Sequence, residues 1–238
     1  VAEILLLPTP RGDARAHLQL PAGTPRALLV LGHGAGGGVT APDLVAVDAA
    51  AVRAGVAVAL LEQPYRVAGR RAPAPAPALD EAWTAAVGQL ADLLAATLAG
   101  QPAAAAPRAA AGTSAGGRPR QLDEPPPGPD LPLVVGGRSS GARVACRTAA
   151  AVGAVGVVAL AFPVRPPQRP HSDRLAELAL PTVPVLVVQG DRDPFGVPPR
   201  ARRRTVKVIA GADHALRRDS AAVAAAVLTW LNRQLAAR

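Results

Sequence analysis

In the stretch Leu131-Pro132-Leu133-Val134-Val135-Gly136-Gly137-Arg138-Ser139-Ser140-Gly141, a serine stands midway between two glycines, Gly137 and Gly141. The apolar residues before it have strand character and the residues after it have helix character. A serine at a sharp strand-to-helix turn projects its hydroxyl clear of its neighbours while its backbone takes up strain. The residues two before and two after then crowd each other, so both positions call for glycine. The helix that follows also turns its free N–H groups, the positive end of its dipole, toward the reacting oxygen. Ser139 is therefore the candidate nucleophile. Ser140 is the poorer one, because Arg138 would occupy the crowded position before it.

Such a serine needs a base within hydrogen-bond reach and an acid to orient that base. In sheets that carry this kind of elbow, the chain order is serine, acid, histidine, with the acid and the base each just beyond a late strand. Val185-Leu186-Val187-Val188-Gln189-Gly190-Asp191-Arg192-Asp193-Pro194 places two aspartates past a strand end, and Gly211-Ala212-Asp213-His214 places a histidine past the last one. Asp193 is preferred to Asp191 because it lies deeper in the turn and precedes Pro194. Asp213 adjoins His214 and is badly placed to reach the far nitrogen of its ring. His17 and His171 are read as surface or structural. His33, in Gly32-His33-Gly34-Ala35-Gly36-Gly37-Gly38, is expected to shape a loop rather than transfer protons. The N–H groups of Ala35 and Ser140 are the expected oxyanion hole. The same loop spells a dinucleotide-binding glycine pattern through Gly32, Gly34 and Gly37. Two strands come before it, however, and Val39 to Ala41 hold the next helix back from any phosphate.

These residues need a sheet to position them. Short Val/Leu-rich runs alternate with longer Ala-rich segments. Strands are expected at Glu3 to Leu7, Ala16 to Leu20, Ala27 to Leu31, Val56 to Leu61, Leu131 to Val135, Val155 to Ala161, Val183 to Gln189 and Thr205 to Ala210. Helices are expected at Asp43 to Ala54, Leu79 to Leu98, Ser140 to Val152, Ser172 to Ala179 and Ser220 to Ala236. Two strands come first, and strand and helix then alternate from the third strand to the end. This order predicts an α/β domain with a mostly parallel twisted sheet and helices on both faces. It also calls for a helix between the last two strands, where Arg200, Arg202, Arg203 and Arg204 would form a solvated helix face. The Ala-, Pro- and Gly-rich stretch from Gly100 to Pro129 has no apolar face and reads as a flexible insertion in a single domain, on the rim away from the catalytic residues.

The chain has 238 residues, half of them hydrophobic and only 2% aromatic, with a net charge of +9. Arginine supplies almost all the positive charge (Lys207 is the sole lysine) and is scattered along the chain. Stacking aromatics are scarce, so no nucleic-acid partner is expected. The one cysteine, Cys146, rules out an internal disulfide or a multi-cysteine metal site and reads as a small core residue. No apolar run is long enough for a membrane span and no leader is evident, which makes a cytoplasmic protein without a membrane partner the expectation. The sequence leaves the oligomeric state open.

Taken together, Gly32-His33-Gly34-Ala35-Gly36-Gly37, Gly136 to Ala145, Phe162-Pro163-Val164-Arg165-Pro166-Pro167, Gln189 to Gly196 and Ala212-Asp213-His214 resemble a family of small α/β-hydrolase-fold proteins related to dienelactone hydrolases. That family includes the testis-expressed protein 30-like and NSL-complex subunit 3-like proteins. The resemblance implies an α/β-hydrolase fold with triad positions at Ser139, Asp193 and His214. Ser140 departs from it, standing where a bulkier residue often follows the nucleophile, and Ala142 replaces a frequent glycine. The expected activity is hydrolysis of a small-molecule ester or thioester through an acyl-enzyme, with no metal or organic cofactor and no large cap domain. The alternative from another class is a non-catalytic scaffold of the same fold that binds a protein. Arg66, Arg70 and Arg71, past the fourth strand, suggest a preference for anionic substrates.

Overall fold

The computed structural model describes residues 2–100, 131–167 and 171–237. The insertion expected over Gly100 to Pro129 falls, apart from Gly100, outside the described residues. Eight strands form one sheet: β1 (Glu3–Leu7), β2 (Ala14–Gln19), β3 (Leu28–Gly32), β4 (Ala57–Glu62), β5 (Leu133–Arg138), β6 (Gly156–Leu160), β7 (Val185–Gly190) and β8 (Arg204–Ile209). Their spatial order is β1-β2-β4-β3-β5-β6-β7-β8. The pairs β1–β2 and β2–β4 are antiparallel; every pair from β4 to β8 is parallel.

Strands buried on both faces account for the unbroken apolar runs. Along β3, Leu28 and Val30 enter one core layer while Leu29 and Leu31 enter the other. The first layer packs under α3 (Ala76–Leu98), α4 (Ser140–Thr148) and α5 (Leu175–Ala179), with Trp83, Leu90, Val144 and Leu178 buried there. The second packs under α1 (Pro42–Arg53) and α6 (Ser220–Ala236), through Leu44, Val47, Val223 and Trp230. Pro at the start of α1 and Gly55 just past its end bound that helix as expected. Asp219 caps α6 by accepting a hydrogen bond from the Ala222 N–H at 2.8 Å. Cys146 is buried in the first layer, and burial pushes its thiol up to about 12, which leaves it an inert core residue.

Two expectations need correction. The helix between β7 and β8 does not form: the described chain from Asp191 to Arg203 contains turns, irregular segments and one isolated bridge position at Ala201. Pro198 and Pro199 are the physical reason, since they lack N–H donors and push the residues before them out of the helical region. The Arg200 cluster is therefore no helix face, and Arg204 opens β8 instead. In addition, one short helix that no periodicity announced, α2 (Pro64–Val67), follows β4. No helix among the described residues is long and apolar enough to cross a membrane.

Parallel β3 to β8 deliver their C-terminal ends, and hence the loops after β3, β4, β5, β7 and β8, to one rim. Every candidate functional residue lies on that rim.

Candidate active site

The nucleophile elbow is built by crowding. Ser139 sits at φ 52° and ψ −107°, a strained conformation for a residue with a side chain. Its N–H donates to Leu160 O at 2.9 Å, which extends the β5–β6 ladder through the turn. A Cβ at position 137 would come within 2.5 Å of Gly32 O and 2.8 Å of the Gly141 carbonyl carbon; one at position 141 would come within 2.5 Å of Gly32 O. The glycines thus let the elbow clear both itself and β3, so the spacing in the sequence reports a close approach of two strands as well as a sharp turn.

Ser139, His214 and Asp193 form one hydrogen-bonded chain. His214 Nδ1 lies 2.8 Å from Asp193 Oδ2, and His214 Nε2 lies 3.0 Å from Ser139 Oγ. A carboxylate only accepts, so Nδ1–H donates to Asp193, which leaves Nε2 to accept from the serine hydroxyl. The carboxylate is fully enclosed, while about a fifth of the imidazole faces solvent. Asp193 is held by further donors: Phe195 N–H to Oδ1 at 2.9 Å and Gln189 Nε2 to Oδ2 at 2.7 Å. The Phe195 ring packs against the imidazole at a centroid distance of 4.3 Å. Gln189 and Phe195 were not singled out in the sequence. A glutamine ending a fully buried apolar strand was the available signal, because such a side chain requires partners.

The rival aspartates have structural partners. Asp191 Oδ1 accepts from Gly211 N–H at 2.6 Å and so ties the acid loop to the histidine loop. Asp213 Oδ1 accepts from Ala215 N–H at 2.8 Å. His17 faces Glu62 at 3.4 Å, and His171 is exposed.

His33 is buried at the end of β3. Its Nδ1 donates to Gly34 O at 2.8 Å, and its Nε2 accepts from Gln63 N–H at 3.2 Å. Both ring nitrogens are committed to backbone, and burial holds its pKa below the ordinary range, so it stays neutral. Tyr65 Oη donates to Ala35 O at 3.2 Å, a second hold on the same loop. Ser140 opens α4, where the first N–H groups have no acceptor within the helix. Beside this loop a small cavity lies against His33, Ser140 and Trp83; Gln63, Tyr65 and Leu79 also line a larger cavity of about 510 Å³ whose charged lining residues are Arg11, Asp13 and Arg70. Among the described residues, no group of three or more His, Cys, Asp or Glu side chains is arranged to hold a metal ion.

A strained serine at a strand-to-helix turn, bonded in series to a histidine and a buried aspartate on the rim of a mostly parallel sheet, defines a serine hydrolase of the α/β class. The chain belongs to the alpha/beta hydrolase domain family, whose model matches residues 25–122 and 120–229. Among solved structures, it is similar to an α/β serine hydrolase without a lid from Xanthomonas campestris (17% identity, covering 96% of this chain and 94% of that one, TM-score 0.64). It is also similar to Est1E from Butyrivibrio proteoclasticus (15%, 98% and 99%, 0.63) and to a dienelactone hydrolase from Anabaena variabilis (17%, 96% and 94%, 0.62). At these identities the likeness is one of fold. No curated protein matches the chain.

Proposed function

We propose that the protein hydrolyses a small-molecule carboxylic ester or thioester through an acyl-enzyme on Ser139, with His214 as general base and acid and Asp193 as the group that orients it. The single observation that carries this reading is the unbroken series from Asp193 Oδ2 to His214 Nδ1 and from His214 Nε2 to Ser139 Oγ. Ser139 Oγ attacks the carbonyl carbon as its proton passes to Nε2, and the C=O π pair moves onto oxygen. The N–H groups of Ala35 and Ser140 are assigned to that oxyanion, at the positive end of the α4 dipole. Collapse expels the alcohol or thiol, which takes the proton back from His214. Water then repeats the sequence on the acyl-serine and releases the acid.

Within the family we place the chain with the testis-expressed protein 30-like and NSL-complex subunit 3-like proteins, on the strength of Gly136 to Ala145 and Gln189 to Gly196. The substrate is assigned to the 510 Å³ cavity, which shares Gln63, Tyr65 and Leu79 with the small cavity against His33 and Ser140. Arg70 on its exposed rim favours an acyl or leaving group that ends in a carboxylate.

Labelling with a fluorophosphonate tests the reading. Covalent reaction of the wild-type protein, abolished in Ser139→Ala, is expected, together with turnover of short acyl esters. A folded wild-type protein that neither labels nor turns over any ester would instead support a binding scaffold. Equal turnover of neutral and carboxylate-bearing esters would remove the role given to Arg70.

A further inference from the structure

Arg138, the last residue of β5, meets three separate segments with its side chain. Its Nη2 donates to the backbone carbonyl of His214 at 2.8 Å. Its Nε lies 3.1 Å from Asp43 Oδ2, in the first turn of α1, as a charge contact without hydrogen-bond alignment. A Cβ on Gly34 would come within 3.3 Å of its Nη1, so the guanidinium also lies against the oxyanion loop. Asp43 is wholly enclosed, and its other oxygen accepts from Leu44 N–H at 3.0 Å. An enclosed carboxylate with a guanidinium beside it fixes that guanidinium in place, because separating the two would strand a buried charge. The planar fork of arginine suits such a site: one edge is anchored and another N–H is left for a second partner.

We infer that Arg138, anchored by Asp43, is a positioning residue that sets the His214 imidazole against Ser139 by gripping the His214 backbone carbonyl. This rests on the serine-hydrolase reading proposed above. The loop between β8 and α6 carries His214 on a turn tied on either side of it: Gly211 N–H donates to Asp191 and Arg192 N–H to the Ala212 carbonyl before it, while Ala215 and Leu216 N–H both donate to Asp213. Among the described residues, Arg138 is the one that joins the carbonyl of His214 to the strand that carries the nucleophile. The two ends of the Ser139–His214 hydrogen bond are thereby referred to one rigid element. A displacement of the base by about 1 Å costs on the order of a hundredfold in rate.

The test uses Asp43→Asn/Arg138→Met, which removes both charges at similar volume so that no buried ion is left alone, and Arg138→Lys, whose single ammonium cannot serve both partners. For the double variant, kcat is expected to fall about a hundredfold with KM within about twofold of the parent and a melting temperature close to it. Arg138→Lys should lose about tenfold in kcat, again with KM unchanged. Unchanged kcat in the folded double variant, or a loss confined to KM, overturns the assignment. If the double variant does not fold, unchanged kcat in Arg138→Lys does the same. A second readout needs no turnover: the downfield proton resonance of the His214–Asp193 hydrogen bond. It should be present in the parent and displaced or broadened in the double variant, or in Arg138→Lys if only that variant folds. An undisturbed resonance overturns the positioning role even if no ester is ever hydrolysed, whereas absent turnover with a displaced resonance counts against the activity alone.

Discussion

Two aspartates of this protein are almost equally enclosed, Asp193 at 6% exposure and Asp48 at 4%, and they live in opposite circumstances. Asp193, beyond β7, receives three donors: the His214 ring, the Gln189 amide and the Phe195 N–H. Asp48, on the inner face of α1, receives one, the Gln19 amide of β2, and its other oxygen has no hydrogen-bond partner. Burial pushes the Asp48 carboxyl up to about 6, and the Gln19 bond only partly offsets that. Enclosure alone therefore does not make a working carboxylate. What distinguishes the rim of the sheet from the α1–β2 contact is the number of donors aimed at the charge, since each one replaces a water lost on burial.

The sharpest way to break this contrast is to neutralise the well-served aspartate. Asp193→Asn keeps the shape, but it offers His214 an amide that can hold the wrong tautomer, with Nδ1 accepting and Nε2 carrying the proton. Ester turnover should fall about 10⁴-fold while the fold persists. Steady-state kinetics beside a thermal melt would show it, and a loss of less than tenfold would mean that Asp193 does not orient the base. Gln189→Leu thins the same donor set instead of cancelling the charge. It removes the amide from Asp193 Oδ2 and strips a donor from Phe162 O and Gly196 O, which lie 3.2 and 2.9 Å away. A stability loss of about 3 kcal/mol by urea unfolding, with a roughly tenfold lower kcat/KM, is expected. Stability equal to the parent would show that the three remaining groups find other partners.

The contrast also bears on how much could be read in advance. The eight strands were legible because fully buried parallel strands are written as uninterrupted Val/Leu runs, and Ser139, Asp193 and His214 because topology dictates where each must fall. Asp193 was separable from Asp191 by its depth in the turn; the structure gives Asp191 a different task, bonding Gly211. The loop from β7 to β8 departs from strand–helix alternation because Pro198 and Pro199 override it. The support for the triad was harder to see. Gln189 looked like the end of a strand, and the pairing of Arg138 with Asp43 joins residues whose proximity only the β3–β5 register creates. Nothing local in the sequence encodes that meeting. Nor did it mark Gly190, where a Cβ would come within 2.1 Å of Ala212 O and hold apart the two loops that carry the acid and the base.

The poorly served aspartate makes the opposite kind of prediction, in which substitution helps. Because the folded-state pKa of Asp48 is raised from 3.8 to about 6, the folded protein holds that proton more tightly than the unfolded chain does. Below about pH 4 both states are protonated and the site is harmless. As pH climbs from about 4 to about 6 the unfolded chain gives up this proton while the buried carboxyl, with a single donor, still holds it, and stability is lost; above about 6 the loss is complete and constant. Asp48→Asn abolishes the titration while leaving an oxygen for the Gln19 amide. Free energies of unfolding from urea titrations should therefore be close to the parent's near pH 4 and exceed them near pH 7.5 by about 2 kcal/mol. The gain should leave kcat untouched, because Asp48 faces β2 on the far side of β3 and β4 from the nucleophile. An advantage that is the same at both pH values would mean that the benefit comes from packing, and the distinction between a carboxylate rich in donors and one starved of them would lose its electrostatic basis.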